Sequence, residues 1–131
     1  MKQSGRVDIV CIDKILKYIW IIRNAYETFN IGNAKDLEEH DLCQLAVTQA
    51  VTNIYELYKK MREDTLSKAP SFSKIRLGLK AARNIASHEY GSLDFGIIYR
   101  LTNQLLNQTI IDELEAIRND LKQNSTGDSQ S

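Results

Sequence analysis

Cys11-Ile-Asp-Lys-Ile-Leu-Lys-Tyr-Ile-Trp-Ile-Ile-Arg-Asn-Ala-Tyr-Glu-Thr-Phe29 decides the fold of this chain. Within it Cys11, Ile15, Tyr18, Ile22, Ala25 and Phe29 recur at alternating spacings of four and three, which puts them on one stripe of an α-helix. Ile12, Leu16 and Ile19 widen that stripe, so the helix is expected to be deeply packed. The apolar run Ile19-Trp20-Ile21-Ile22 is flanked by Lys17 and Arg23 and is far too short to span a bilayer. Asn30-Ile31-Gly32-Asn33 supplies turn chemistry that ends the helix.

The same alternation recurs downstream. Cys43, Val47, Ala50, Ile54, Leu57 and Met61 form a second stripe. Asp36-Leu37-Glu38-Glu39 leads into it, and Lys59, Lys60 and Arg62 close it, each sign at the end of the helix dipole that favours it. About Glu63 to Ser71 reads as a loop containing Pro70, the one proline of the chain. A third helix is expected from Ser71 as N-cap, with Phe72, Ile75, Leu79, Ala82 and Ala86 inward, stopping at Gly91. A fourth is expected from an Asp94 cap to about Lys122. Its two apolar sets, Ile97, Leu101, Leu105 and then Ile110, Leu114, Ile117, Leu121, are offset, so this helix bends or serves two surfaces. The expectation is an all-α, antiparallel four-helix bundle forming one domain over 1–123, with a disordered polar tail over 124–131.

Bulk properties narrow the partners. With 131 residues, 17 basic and 17 acidic side chains and a formal net charge of zero, a broad nucleic-acid-coating surface is not expected, although a local basic patch fits. Cys11 and Cys43 fall on apolar faces and read as buried reduced thiols of a cytoplasmic protein rather than a disulfide, and no CxxC spacing suggests zinc. No signal-peptide pattern is present, and no cofactor is implied.

Chemistry concentrates in Arg83-Asn84-Ile85-Ala86-Ser87-His88-Glu89-Tyr90. Arginine offers a planar, permanently charged fork to phosphate, histidine exchanges protons near neutrality, and tyrosine carries a nucleophilic hydroxyl. From Thr65 to His88 there are five basic residues and no acidic one. Of these, Arg76, Lys80 and Arg83 share one helix face and are candidate phosphate contacts for a polyanion. Arg83 and His88 lie roughly 140° apart on an ideal helix. One site therefore needs either a frayed helix end or two motifs meeting across a two-fold axis. The structural alternatives are that Arg83 pairs with an acid of another helix and that His88 is a helix-terminal cation. His40, in Glu38-Glu39-His40-Asp41, reads as a solvated helix start, and Trp20, Tyr55, Tyr58 and Tyr99 as core or interface residues.

This segment, Arg83-Asn84-x-x-x-His88-x-Tyr90 near the end of the third helix of a small helical chain, resembles the R-x4-H-x-Y motif of HEPN domains, and more closely their HepT toxin branch. The similarity runs from about Val7 to Lys122, and includes the polar Asn84 after the arginine and Asp94 after Gly91. The stretch Ala69–Arg76 departs from the Pro-Trp-Arg of many relatives. The resemblance implies a homodimer whose paired motifs form a metal-independent endoribonuclease, the toxin of a type VII-like toxin–antitoxin pair. Arg83 and His88 would be catalytic, Asn84 supporting, and Tyr90 the residue that a cognate minimal nucleotidyltransferase antitoxin silences with AMP. The alternative is a non-catalytic helical module that binds a nucleotidyltransferase and presents substrate to it.

Overall fold

The computed structural model describes residues 2–87 and 94–130, with side chains from 5 to 86 and from 94 to 124. All regular structure among the described residues is α-helical: α1 (Lys2–Thr28), α2 (Ala34–Glu38), α3 (Asp41–Lys60), α4 (Glu63–Leu66), α5 (Pro70–Lys74), α6 (Arg76–Ser87), α7 (Phe95–Leu105) and α8 (Gln108–Gln130).

α1 is the strut on which the rest packs. Its expected stripe is inward, with Cys11, Ile12, Ile15, Ile19 and Ile22 all buried. It meets α3 along most of its length and α8 on another side. Both neighbours run antiparallel to it. Asp8 meets Arg62 just past the end of α3, while Phe29 meets His40 at its start. Asp13 pairs with Arg118 of α8, and Arg23 donates to the Leu106 carbonyl before that helix begins. α6 packs on α3, α2 on α7, and α5 on α8. Trp20 is not a core residue; it stands 62% exposed, on the outward side of a helix whose inward stripe is already filled by isoleucines.

The end of α1 uses the predicted turn. Asn30 adopts φ 55°. The Ile31 N–H donates to the Tyr26 carbonyl and the Asn30 N–H to that of Glu27, which is the Schellman closure, with Asn at the left-handed position that side chains rarely tolerate. Asn33 then caps α2, its Oδ1 accepting from the Asp36 N–H at 2.8 Å. The lead-in to α3 is thus a helix of its own, anchored by the fully buried Leu37.

Several expected boundaries move. Residues expected to loop from Glu63 to Ser71 contain α4. The third helix starts two residues earlier, at Pro70, and breaks at Ile75 into α5 and α6. Pro70 occupies the first helical position, where its missing N–H costs nothing. Ser71 is therefore inside the helix rather than its cap. Ala69, the true N-cap, has no capping side chain, and Glu113 of α8 takes over that role. Its carboxylate accepts from the Ser71 N–H at 3.1 Å and the Phe72 N–H at 3.2 Å. The fourth helix breaks at Leu106–Asn107, which accounts for its two offset apolar sets. Asn107 Oδ1 accepts from the Thr109 N–H at 2.8 Å, a fresh cap that α8 uses to change direction. α8 then runs through Gln130, past Asn124, where the polar tail was expected to start.

Two buried polar contacts tie the helices together. The Asp8 carboxylate accepts from Arg62 Nε at 2.8 Å, from the Arg62 N–H at 3.3 Å, and from the Thr65 hydroxyl. Between α1 and α7, the Tyr26 phenol lies 2.6 Å from Thr102 Oγ1. The Thr102 hydroxyl donates to the Tyr99 carbonyl at 2.9 Å, so Tyr26 is the donor. Burial pushes the Tyr26 phenol pKa well above its usual value. Cys11 and Cys43 are free and buried, and burial raises both thiols.

Candidate functional site

Arg83 is set by the packing of α6 on α3. Leu79 and Ala82 of α6 are fully buried, which leaves Arg83, one position on, at the edge of that contact. α3 presents Tyr55 and Glu56 there. Tyr55 is inward on the buried stripe of α3, and Glu56 is next to it at the margin. The Arg83 guanidinium carbon is 4.8 Å from the Tyr55 ring centroid, and its Nε is 4.0 Å from Glu56 Oε1. The guanidinium thus sits over the ring, with the Arg83 side chain 27% exposed.

Lys59 meets the same tyrosine from its own helix. Its ammonium lies 5.0 Å from the Tyr55 centroid and 3.0 Å from Glu56 Oε2. The bond from Lys59 holds the Glu56 carboxyl below its usual range, and the charge of Arg83 adds to the effect. One carboxylate thus faces two cations across one ring.

A cleft of about 620 Å³ opens beside this cluster, between the end of α3, α4 and the start of α6. Tyr55, Tyr58, Lys59, Glu63, Ser67 and Arg76 are among the residues that line it. Of the expected basic stripe, Arg76 therefore faces the cleft and Arg83 stands on Tyr55. Lys80, between them, is exposed and is not part of the lining. Asn84 is exposed next to Arg83. His88 and Tyr90 lie outside the described residues. Among the described residues no group of three or more His, Cys, Asp or Glu side chains is placed to hold a metal ion. No helix among them is long and apolar enough to cross a membrane.

His40 has a specific task that the sequence reading missed. It is the N-cap of α3, with Nδ1 accepting from the Cys43 N–H at 3.2 Å, and its ring lies 4.0 Å from that of Phe29. Tyr58, read as a core residue, is buried against Phe72 with centroids 5.2 Å apart. Tyr55 is buried too, and its further role as the seat of Arg83 was not anticipated. The one signal for it was local: Tyr55, Glu56 and Lys59 lie three and four apart, the spacing at which side chains of one helix touch.

No protein-family model, curated protein or solved structure matches this chain.

Proposed function

We propose that the chain is a toxin-type, metal-independent endoribonuclease of the cytoplasm, acting as a homodimer of antiparallel four-helix bundles. The four legs are α1, α3, the α5–α6 pair and the α7–α8 pair. The observation that carries the reading is Arg83: a half-buried arginine seated over Tyr55, on the face that also bears Arg76, four residues before Ser87 and five before His88. Leu77 supports the dimer. It is 76% exposed and shares a face of α6 with the exposed Ala81 and Asn84, a surface that a second copy would cover.

In this reading His88 takes the proton of a ribose 2′-hydroxyl, which attacks the adjacent phosphorus. The P–O5′ bond breaks, leaving a 2′,3′-cyclic phosphate, and the 5′-oxygen regains a proton. Arg83 stabilises the charge on the phosphorane oxygens, and Asn84 orients the histidine or the phosphate. A partner nucleotidyltransferase silences the site: the Tyr90 phenol oxygen attacks the α-phosphorus of ATP, pyrophosphate leaves, and the resulting AMP blocks the phosphate site by bulk and charge.

The test is cleavage of single-stranded RNA by purified protein in a chelator. Arg83→Ala and His88→Ala should each abolish it with the fold retained, and a 2′-deoxy substitution at the cut should block it. Equal cleavage of DNA would overturn the mechanism. A second reading, a non-catalytic partner module for a nucleotidyltransferase, is favoured by the Arg83–Glu56 pair, the contact a purely structural arginine would make. Growth arrest on expression of the chain, relieved by His88→Ala, selects the nuclease. Harmless expression of folded protein selects the module.

A further inference from the structure

The cleft beside Arg83 has a chemistry of its own. We propose that it is a nucleotide subsite, which grips a phosphate with Lys59 and Arg76 and selects a base bearing an amino group. That the nucleotide belongs to the substrate RNA, flanking the cut, rests on the nuclease reading; the binding of a nucleotide does not.

Three observations point there. The first is size: about 620 Å³ is within the range of small-molecule sites and holds a mononucleotide. The second is the distribution of donors. Lys59 and Arg76 come from different helices onto the same cleft, and cations are what a phosphate needs. Arg76 stands two turns from Arg83 on one face of α6, about 10.5 Å along the axis at 1.5 Å per residue. Tyr55 belongs to both places, lining the cleft and seating Arg83. A single strand held by Arg83 at one phosphate thus meets Arg76 and Lys59 further along.

The third observation is the acceptors. Two serines line the cleft, and neither has a hydroxyl proton to offer. Ser67 donates to the Asp64 carbonyl at 2.7 Å and Ser73 to the Leu66 carbonyl at 2.7 Å. Both oxygens keep lone pairs, so with the Glu63 carboxylate the lining presents three acceptors. Tyr58, Met61 and Leu66 add apolar surface for the flat of a base. Acceptors next to an apolar wall match the exocyclic amine of cytosine, adenine or guanine. They do not match uracil, which carries carbonyl oxygens at the corresponding edge.

The probes are cytidine and uridine 5′-monophosphate, titrated into the full chain and followed by ¹H–¹⁵N NMR. Cytidine monophosphate should shift the amides of 59–67 and 73–76 and bind more tightly than uridine monophosphate. Lys59→Gln and Arg76→Gln should each weaken binding roughly tenfold. Glu63→Gln should leave binding but erase the preference for cytidine, and Ser67→Trp, which fills the cleft, should abolish binding. Each variant should keep the wild-type helical signal and melting temperature, which separates loss of the site from loss of the fold. Shifts elsewhere, no shifts, or equal affinity for both nucleotides in the wild type would overturn the proposal. If RNA is cut and Arg83→Ala stops it, yet the cleft binds neither nucleotide, the nuclease reading survives and this inference fails. If the cleft binds cytidine monophosphate and no RNA is cut, the subsite stands and the nuclease reading fails.

Discussion

Removing one partner from the Asp8–Arg62–Thr65 cluster should destabilise the chain more than any other single polar change among the described side chains. Asp8 is 1% exposed at its side chain and Arg62 is 36% exposed. Truncating Arg62→Ala leaves a buried carboxylate with only the Thr65 hydroxyl and an N–H at 3.3 Å. Breaking a buried pair costs about 3–5 kcal/mol, and the partial exposure of Arg62, where solvent already screens the pair, points to the low end, about 3 kcal/mol. Asp8→Ala frees a guanidinium that can turn to water, but strands the buried Thr65 hydroxyl and the Arg62 N–H. About 2 kcal/mol follows from two unmet groups. Urea unfolding followed by helical circular dichroism reads both, with an unchanged m-value as the sign that the native fold is kept. In melting temperature Arg62→Ala should fall by roughly 10 °C for a chain of this size. The charge-free triple Asp8→Leu, Arg62→Met, Thr65→Val should return to within about 1 kcal/mol of wild type, because only the backbone N–H of position 62 then loses its acceptor. An Arg62→Ala protein within about 0.5 kcal/mol of wild type, or a triple variant as unstable as the singles, would refute the reasoning.

Other contacts give smaller, ordered effects. Glu113→Ala should cost about 1–2 kcal/mol in chemical denaturation by uncapping α5, and Glu113→Gln less, since one amide oxygen still accepts. Tyr26→Phe should cost about 1 kcal/mol and Thr102→Val more, because the latter leaves a buried phenol without its acceptor. His40→Ala should cost about 1 kcal/mol, and His40→Asn should recover much of it by supplying another capping oxygen. Glu56 has its carboxyl pKa depressed in the folded state by Lys59 first and then Arg83. Its contribution to stability is therefore present above the ordinary carboxylate range and fades as pH falls through the depressed folded value. An NMR titration should show the Glu56 midpoint rise in Lys59→Met, and an unmoved midpoint would assign the depression elsewhere.

Periodicity carried the all-helical class and most of the core. The stripes of α1 and α3 were readable because their inward residues repeat without interruption, and Cys43, Val47, Ala50 and Ile54 are buried as that repeat requires. The breaks were harder to read because their causes are not local. Phe72, Ile75 and Leu79 keep helical spacing straight through the turn at Ile75. The cap that starts α5 is a glutamate 42 residues away in sequence. Asp8 could not be paired with Arg62 from sequence for the same reason, since they are separated by 54 residues. Leu105 and Ile110 did announce the second break, through the offset between the sets they belong to.

The site was legible in its charges and illegible in what holds them. Arg76, Lys80 and Arg83 occupy one helical face, as their spacing dictates, yet the fold gives them three different settings. What separates them is the opposite wall: α3 ends beside α6, so Arg83 meets Tyr55 and Glu56, Arg76 meets a cleft, and Lys80 meets water. That difference bears on mechanism. In the proposed nuclease, an arginine on a flexible stem would have to be ordered when phosphate arrives, and the Tyr55 ring reduces that entropic cost for Arg83. The Glu56 carboxylate lies 4.0 Å from the Arg83 Nε, and in the proposed nuclease a phosphate would compete with it for the guanidinium. Lys59 is bonded to the same carboxylate at 3.0 Å. The Tyr55–Glu56–Lys59 triplet thus gives Arg83 a defined seat on α3, which sets it apart from the exposed Lys80 on the same helical face.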